Sequence, residues 1–323
     1  MDSPCGSPNS DRQDGGEFQF TFESLITSST RSILESLGVE GSCSVSLTES
    51  VFDFPQEFGR TFHAYKAGLY LFPNDDIEQD RLAIQTEAIE RLCSGKVHFA
   101  PFSDKNPPRN VLDLATGTGD WAIQIGEMFP STKVIATDLS PIQPTLVPPN
   151  VHFYIEDSSE RWIYSERFDY IHTRGTAGCW QSFEKDIAAQ AFEWLYPGGY
   201  FESVELDNYT GLLCSGSPPA LKDIYRRVGF EDVHELILPM PMNGWPDDPM
   251  LKRIGGLWER NFLSGLSGMT LSIFTRVFEL SPEDVEACMA PAVALINVRR
   301  ELSDLNVHAY MNLRIVWGRK PVA

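Results

Sequence analysis

From Val97 to Asp207 the chain alternates short apolar runs with stretches whose apolar residues recur at helical spacing. Val111-Leu112-Asp113-Leu114 reads as a strand that runs into a turn of small residues. In Asp120 to Phe129, the residues Trp121, Ala122, Ile125, Met128 and Phe129 fall at helical spacing, and Val134 to Thr137 is the next strand, stopping at Asp138. Val151 to Ile155 is a third strand, stopping at Glu156-Asp157, and Phe168 to His172 a fourth. Ile187, Ala191 and Trp194-Leu195 mark a helix closed by Pro197-Gly198-Gly199, after which Tyr200 to Val204 is a fifth strand. Strands and helices alternating through short joints imply a parallel sheet covered on both faces, because each parallel crossover lays a helix on the sheet.

Beyond Val204 the pattern loosens. Ala220 to Val228 reads as a helix running into Gly229, Val233 to Leu238 as a strand and Met311 to Trp317 as a final strand. About seventy residues separate those last two strands, too many for a turn. They predict a helical cap insertion over about 239–306 that builds a lid or acceptor pocket beside the sheet. Within it, Ser281-Pro282-Glu283-Asp284 is a helix start: a capping serine, a proline at the first helical position and acids in the first turn. Residues 1–48 differ from the rest. They are rich in Ser, Gly and Thr, carry more acids than bases, and hold one apolar stretch, Phe18 to Leu37, suited to a transient helix. That composition predicts a disordered acidic leader, with a partner-docking tail as the alternative, and a folded unit over 49–323. There is no internal repeat.

Composition narrows the function classes. The 323 residues are 42% hydrophobic and 22% charged, enough apolar material for a core. The net charge is −19, and no run of Lys or Arg exceeds two, so nucleic acid is not the expected ligand. The longest apolar stretch, Met289 to Ile296, is far short of a membrane span and contains Pro291. Met1-Asp2-Ser3-Pro4 opens no secretory signal. The six cysteines (Cys5, Cys43, Cys93, Cys179, Cys214, Cys288) form no C-x-x-C pair and no metal-ligand spacing. Reduced thiols in a cytoplasmic protein, with the nucleus as the alternative compartment, are the expectation, and no metal is expected.

The strongest local motif is Asp113-Leu-Ala115-Thr-Gly117-Thr-Gly119. A strand delivers the chain to a turn where absent side chains let a ligand lie against the backbone, and a helix departs. Taken alone it is ambiguous: Gly117-x-Gly119-x-x-Ala122 also satisfies a dinucleotide fingerprint, and Asp138, an acid about twenty residues on, suits both readings. The surrounding order discriminates. Asp113 stands four residues before Gly117, a second acid pair closes the third strand, and Pro-Gly-Gly precedes the fifth.

That order resembles class I S-adenosylmethionine methyltransferases. The proline-laden stretch Ala136-Thr-Asp-Leu-Ser-Pro-Ile-Gln-Pro-Thr-Leu-Val-Pro-Pro-Asn150 narrows it, because it resembles the fungal LaeA-like (UMTA-type) methyltransferases. Gly59-Arg-Thr-Phe-His-Ala-Tyr65, Pro73-Asn-Asp-Asp76 with Glu78-Gln-Asp80, Phe168-Asp-Tyr-Ile-His-Thr-Arg174, Tyr196-Pro-Gly-Gly-Tyr-Phe-Glu202, His308-Ala-Tyr310 and Gly318-Arg-Lys-Pro321 extend the likeness across residues 55–321. The resemblance implies a doubly wound, mostly parallel seven-stranded sheet with its last strand antiparallel. It implies S-adenosylmethionine (SAM) as cofactor. It implies methyl transfer to a small molecule in fungal secondary metabolism, the alternative being a LaeA-like regulator that acts through protein partners with little or no catalysis.

The residues make sense as such a site. Asp113 suits the methionine ammonium, Asp138 with the adjoining Leu139 the ribose diol, since a carboxylate accepts two hydroxyl hydrogen bonds, and Asp157 with Ser158 the adenine edge. For each acid the plainer reading is a solvated strand end. Ala115, Gly117 and Gly119 line the loop. His172 and Arg174, ending the fourth strand, are the catalytic candidates: His172 as a base or a structural hydrogen-bonder, Arg174 also as an anchor for the strand end or lid. Trp245, Trp258 and Phe262 could line an acceptor pocket or simply be core. Two features depart from the family pattern. Ala115 replaces the first loop glycine, tolerable at negative φ and otherwise costing about 1 kcal/mol or more. Gly211 to Pro219 is a shortened segment where the family has helical turns.

Overall fold

A computed structural model describes residues 49–176, 178–206, 220–276, 281, 284 and 293–322. The expected leader with its Phe18 to Leu37 helix, the shortened Gly211 to Pro219 segment, and Pro282-Glu283 lie outside the described residues. After a 3-10 turn, a small antiparallel hairpin, β1 (Gln56–Glu57) and β2 (Arg60–Thr61), leads by a long strap to helix α1 (Asp76–Leu92). Then follow β3 (Asn110–Leu114), α2 (Asp120–Met128), β4 (Lys133–Asp138), β5 (Val151–Ile155) and β6 (Phe168–Arg174). A π turn, Phe183–Ala188, runs into α3 (Ala189–Trp194), and β7 spans Leu195–Leu206. The rest is α4 (Leu221–Val228), β8 (Glu231–Pro241), α5 (Pro249–Arg276), α6 (Val293–Leu302) and β9 (Tyr310–Arg319).

The sheet has seven strands in the order β5-β4-β3-β6-β7-β9-β8, parallel except for β9, which runs antiparallel to both neighbours. The order reverses direction between β3 and β6. In open α/β sheets such a switch point opens a crevice at the carboxyl ends of the strands, where ligands bind. Because side chains alternate along a strand, the two faces read directly off the sequence. Leu112, Leu114, Ile171 and Phe201 face α3 and α4, packing with Ile187, Ala191, Leu221 and Tyr225. Val111 and Tyr170 face the other way, against Trp121, Ala122 and Ile125 of α2.

On that second face a further cluster joins Ala88 and Ile89 of α1 and Ile254, Leu257 and Trp258 of α5 to Val204, Leu313 and Ile315 of the sheet. Residues 239–241 of the expected 239–306 insertion end β8, and its described remainder is largely helical, the long helix being laid on the sheet rather than hung over the acceptor side. Trp258 is completely buried in this cluster. Gly255 lets α5 come this close, since a Cβ there would stand 1.9 Å from the Asn243 carbonyl oxygen. Trp245 stacks on His308, and Phe262 packs edge-on against Trp258. All three aromatic candidates are therefore packing residues, and none borders the cleft described below. The expected serine cap is formed, with Ser281 Oγ accepting from Asp284 N at 3.1 Å. Among the described residues no helix is long and apolar enough to cross a membrane.

Candidate active site

A cleft of about 1180 Å³, its open mouth included, lies over the carboxyl ends of β3, β4 and β6. Its floor is the turn after β3. Ala115, Gly117 and Gly119 all have positive φ (52°, 61° and 83°), folding the backbone tightly enough to expose main chain to a ligand. Ala115 therefore occupies the left-handed region that its methyl group disfavours. Gly119 has a second reason to be glycine: a Cβ would lie 2.5 Å from the Phe153 ring. The proline-laden stretch after β4 braces this turn, Gln143 Nε2 donating to Gly117 O at 2.6 Å and to Ser140 O at 2.9 Å.

Asp113 borders the cleft although it is almost wholly buried. Its Oδ1 accepts from His172 Nδ1 at 2.8 Å and its Oδ2 from Thr116 Oγ1 at 2.5 Å. His172 sits beside it in register on β6 and stacks on Trp121, ring centroids 3.6 Å apart and planes 6° from parallel. It is fully buried, does not border the cleft, and its Nε2 has no hydrogen-bond partner among the described residues. Burial holds its pKa down against the opposing pull of Asp113. A carboxylate only accepts, so His172 must present Nδ1–H to it, as the neutral tautomer. The structure thus puts His172 behind Asp113 rather than at the cleft surface where a base would stand. Burial under Trp121 was not visible in a strand-end pattern.

The other acids divide. Asp138 accepts Gly117 N at 2.8 Å through Oδ2 and Ser140 N at 2.9 Å through Oδ1, and burial raises its pKa to about 6 despite those donors. It borders the cleft with Leu139, as do Asp157 and Ser158. Asp157 is fully engaged: Oδ1 accepts Ser159 N and Oγ, and Oδ2 accepts Lys66 Nζ at 2.8 Å. Ser158 Oγ accepts Trp180 Nε1 at 2.9 Å. The Asp157 pKa, which burial would raise, is lowered by Lys66 and Ser159.

Lys66 belongs to the strap, residues 62–75, which crosses the mouth of the cleft and borders it through His63, Tyr70, Phe72 and Asn74. The strap is tied at its root by Arg60 to Asp75 and by Asn74 Nδ2 donating to Ser140 Oγ at 2.9 Å. At its tip Lys66, itself in the left-handed region, pairs with Asp157 and Glu160. The far wall is one face of α1, with Glu78, Leu82 and Gln85 at helical spacing. Arg81 donates to both Glu78 carboxylate oxygens and to Asn261 of α5, fixing that wall. Arg174 completes the cleft, donating from Nη2 to Thr86 Oγ1 at 3.1 Å.

Sequence reasoning singled out neither the strap nor the α1 wall as site. The available signals were Asp75, which caps α1 by accepting Glu78 N at 3.0 Å, and the Tyr70/Phe72 pair beside Gly68. The cleft fits S-adenosylmethionine: exposed turn backbone without a phosphate cradle, and carboxylates at the ends of β3 and β4. A family profile described as a methyltransferase domain matches residues 85–235. The methyltransferase pytC of Aspergillus terreus is 32% identical, over 88% of this chain and 94% of that protein. The secondary metabolism regulator LAE1 of Cochliobolus heterostrophus is also 32% identical, over 82% and 94%. The protein-methionine methyltransferase laeA of Emericella nidulans is 28% identical, over 83% and 77%. Alignment over nearly the whole of pytC and LAE1, with this sheet and this turn, shows that the chain belongs to the LaeA-like family of class I S-adenosylmethionine-dependent methyltransferases.

Proposed function

We propose that the protein methylates a small, largely apolar molecule in fungal secondary metabolism. One observation carries this reading: a single cleft joins a charged cofactor wall, Asp113 and Asp138, to a wall where the apolar Leu69, Tyr70, Phe72 and Leu82 stand beside Glu78 and Gln85. The bound cofactor supplies a methyl group on a sulfonium, already electrophilic. The protein's task is alignment and exclusion of water, and alignment supplies roughly 7–11 kcal/mol of such barriers. Asp138 holds the ribose and Asp113 the ammonium, with His172 as a positioning residue that aims Asp113. The strap covers the reactants. Buried behind Asp113 and away from the cleft, His172 takes no proton from the acceptor. Cys93 and Cys179 are free thiols, which suits the cytoplasm as the working compartment.

Mass spectrometry of metabolites from a deletion strain tests the reading. Accumulation of a precursor lighter by one methyl is expected. Loss of whole compound classes with no demethylated precursor would favour the regulator instead. Label passing from methyl-labelled cofactor to a polypeptide would move the acceptor to a protein side chain.

A further inference from the structure

Arg174 is a cation in the cleft wall that has no anion of its own among the described residues. It is the last residue of β6, and Asp113 is on β3, so the two flank the switch point. Both border the cleft. The one hydrogen bond Arg174 makes among the described residues goes to Thr86 Oγ1, and it forms no ion pair among them. Its other N–H donors have no partner among the described residues, and the residue lines the cleft. The acids whose charges act on it are each held by another partner: Asp113 by His172 and Thr116, Asp120 by Thr118, and Glu90 by Gln124. Burial draws the Arg174 pKa down, with Asp113 opposing, which marks a desolvated charge whose compensation is incomplete.

Asp113 and Arg174 form no ion pair with each other, and each is held by neighbours of its own. Here His172 and Thr116 hold Asp113 in place on one side, and Thr86 anchors Arg174 on the other. The wall thus keeps one fixed carboxylate and one fixed guanidinium apart, the complement of an α-amino acid zwitterion. We propose that Arg174 binds the carboxylate of the amino-acid end of S-adenosylmethionine while Asp113 binds its ammonium. The inference rests on the cofactor site described above and makes Arg174 a cofactor-specificity residue. A guanidinium matches a carboxylate with two parallel hydrogen bonds, a geometry that an ammonium lacks.

The test is calorimetric titration of the full chain with three nucleosides: S-adenosylhomocysteine, decarboxylated S-adenosylmethionine, and 5′-methylthioadenosine, which lacks the amino-acid end. Wild type should prefer the first. In Arg174→Met, affinity for S-adenosylhomocysteine should fall roughly tenfold to a hundredfold. Affinity for methylthioadenosine should stay unchanged, and that for the decarboxylated cofactor should not fall. Arg174→Lys, which keeps the charge and serves if the Met variant does not fold, should retain part of the preference.

Equal loss for all three nucleosides in a folded variant would make Arg174 a structural anchor and overturn the proposal. Undiminished binding of S-adenosylhomocysteine, with or without a defect toward the acceptor, would overturn it too. Failure of wild type to bind any of the three would instead strike at the cofactor site itself.

Discussion

Lys66 closes the strap onto the cleft, so removing its charge tests whether the strap governs ligand release. The Lys66–Asp157 contact joins side chains 25% and 9% exposed at 2.8 Å, whereas Glu160 is 43% exposed. A charge-assisted bond in so sheltered a position contributes about 1–2 kcal/mol, and the Glu160 pair about 0.3 kcal/mol. Lys66→Met keeps the length of the stem and removes both. If those contacts exist only while the strap is closed, losing about 1–2 kcal/mol speeds release roughly 5–30-fold. Stopped-flow fluorescence can follow this, since Trp180 borders the cleft. Release of S-adenosylhomocysteine from wild type should quicken between about 0.05 and 0.5 M salt as screening weakens the pair, and in Lys66→Met it should lose most of that dependence. Asp157→Asn should resemble Lys66→Met, and the double variant should be little worse than either, as for two halves of one interaction. Equal release rates for wild type and Lys66→Met would refute the argument. A much larger affinity loss in Asp157→Asn would show that Asp157 holds the cofactor directly.

Two further outcomes follow from the turn after β3. Ala115→Gly should relieve the positive φ, raising stability by about 0.5–1 kcal/mol after the extra freedom of glycine in the unfolded chain is subtracted, and the melting temperature by roughly 1–4 °C. A lower melting temperature would mean that the methyl group is well accommodated. Asp138, raised to about 6 by burial, binds its proton more tightly in the folded chain than in the unfolded one. Its contribution to stability is therefore present at acid pH and lost as pH rises through about 6. Ligand binding runs the opposite way: ribose hydroxyls donate to the ionised carboxylate, so affinity should fall as pH drops below about 6, with protons released on binding. Titration calorimetry on either side of that value checks this, and Asp138→Asn should bind with a flatter profile. The same profile in the variant would assign it to another group, such as Glu156, which also borders the cleft and is raised by burial.

The cofactor half was legible because its chemistry sits at strand ends, where apolar runs stop and a carboxylate or glycine follows. Val111 to Leu114 and Val134 to Thr137 announce both the strands and the positions of Asp113 and Asp138. The acceptor half was not legible, for a physical reason. The cleft-facing and core-facing positions of α1 include Glu78 and Arg81, each 5% exposed, so a wall of the site reads as a solvated helix until the pair is seen closed. The strap has no periodicity at all. It is held by contacts far apart in sequence, Lys66 to Asp157 and Asn74 to Ser140, that no local pattern encodes. The aromatic residues of the insertion could be read as pocket or core, and burial of Trp258 decides for core.

Period-two alternation explains why residues scattered through the chain act as one object. Asp113, His172 and Glu202 stand in register across β3, β6 and β7. Sheet pairing alone thus fixes the spacing of a polar row that an apolar sheet interior would otherwise exclude, and each member needs a named partner. Asp113 takes His172 and Thr116. Glu202, its pKa pushed up to about 7 by burial, takes the backbone N–H groups of Phe99 and Ala100, clamping the segment that enters β3. Two positions beyond His172, on the same face, the row's alternation delivers Arg174 to the strand end, where it lines the cleft. The same count that buries His172 therefore exposes Arg174 to the cleft. One strand supplies both the support for the Asp113 carboxylate and the opposite charge that stands beside it.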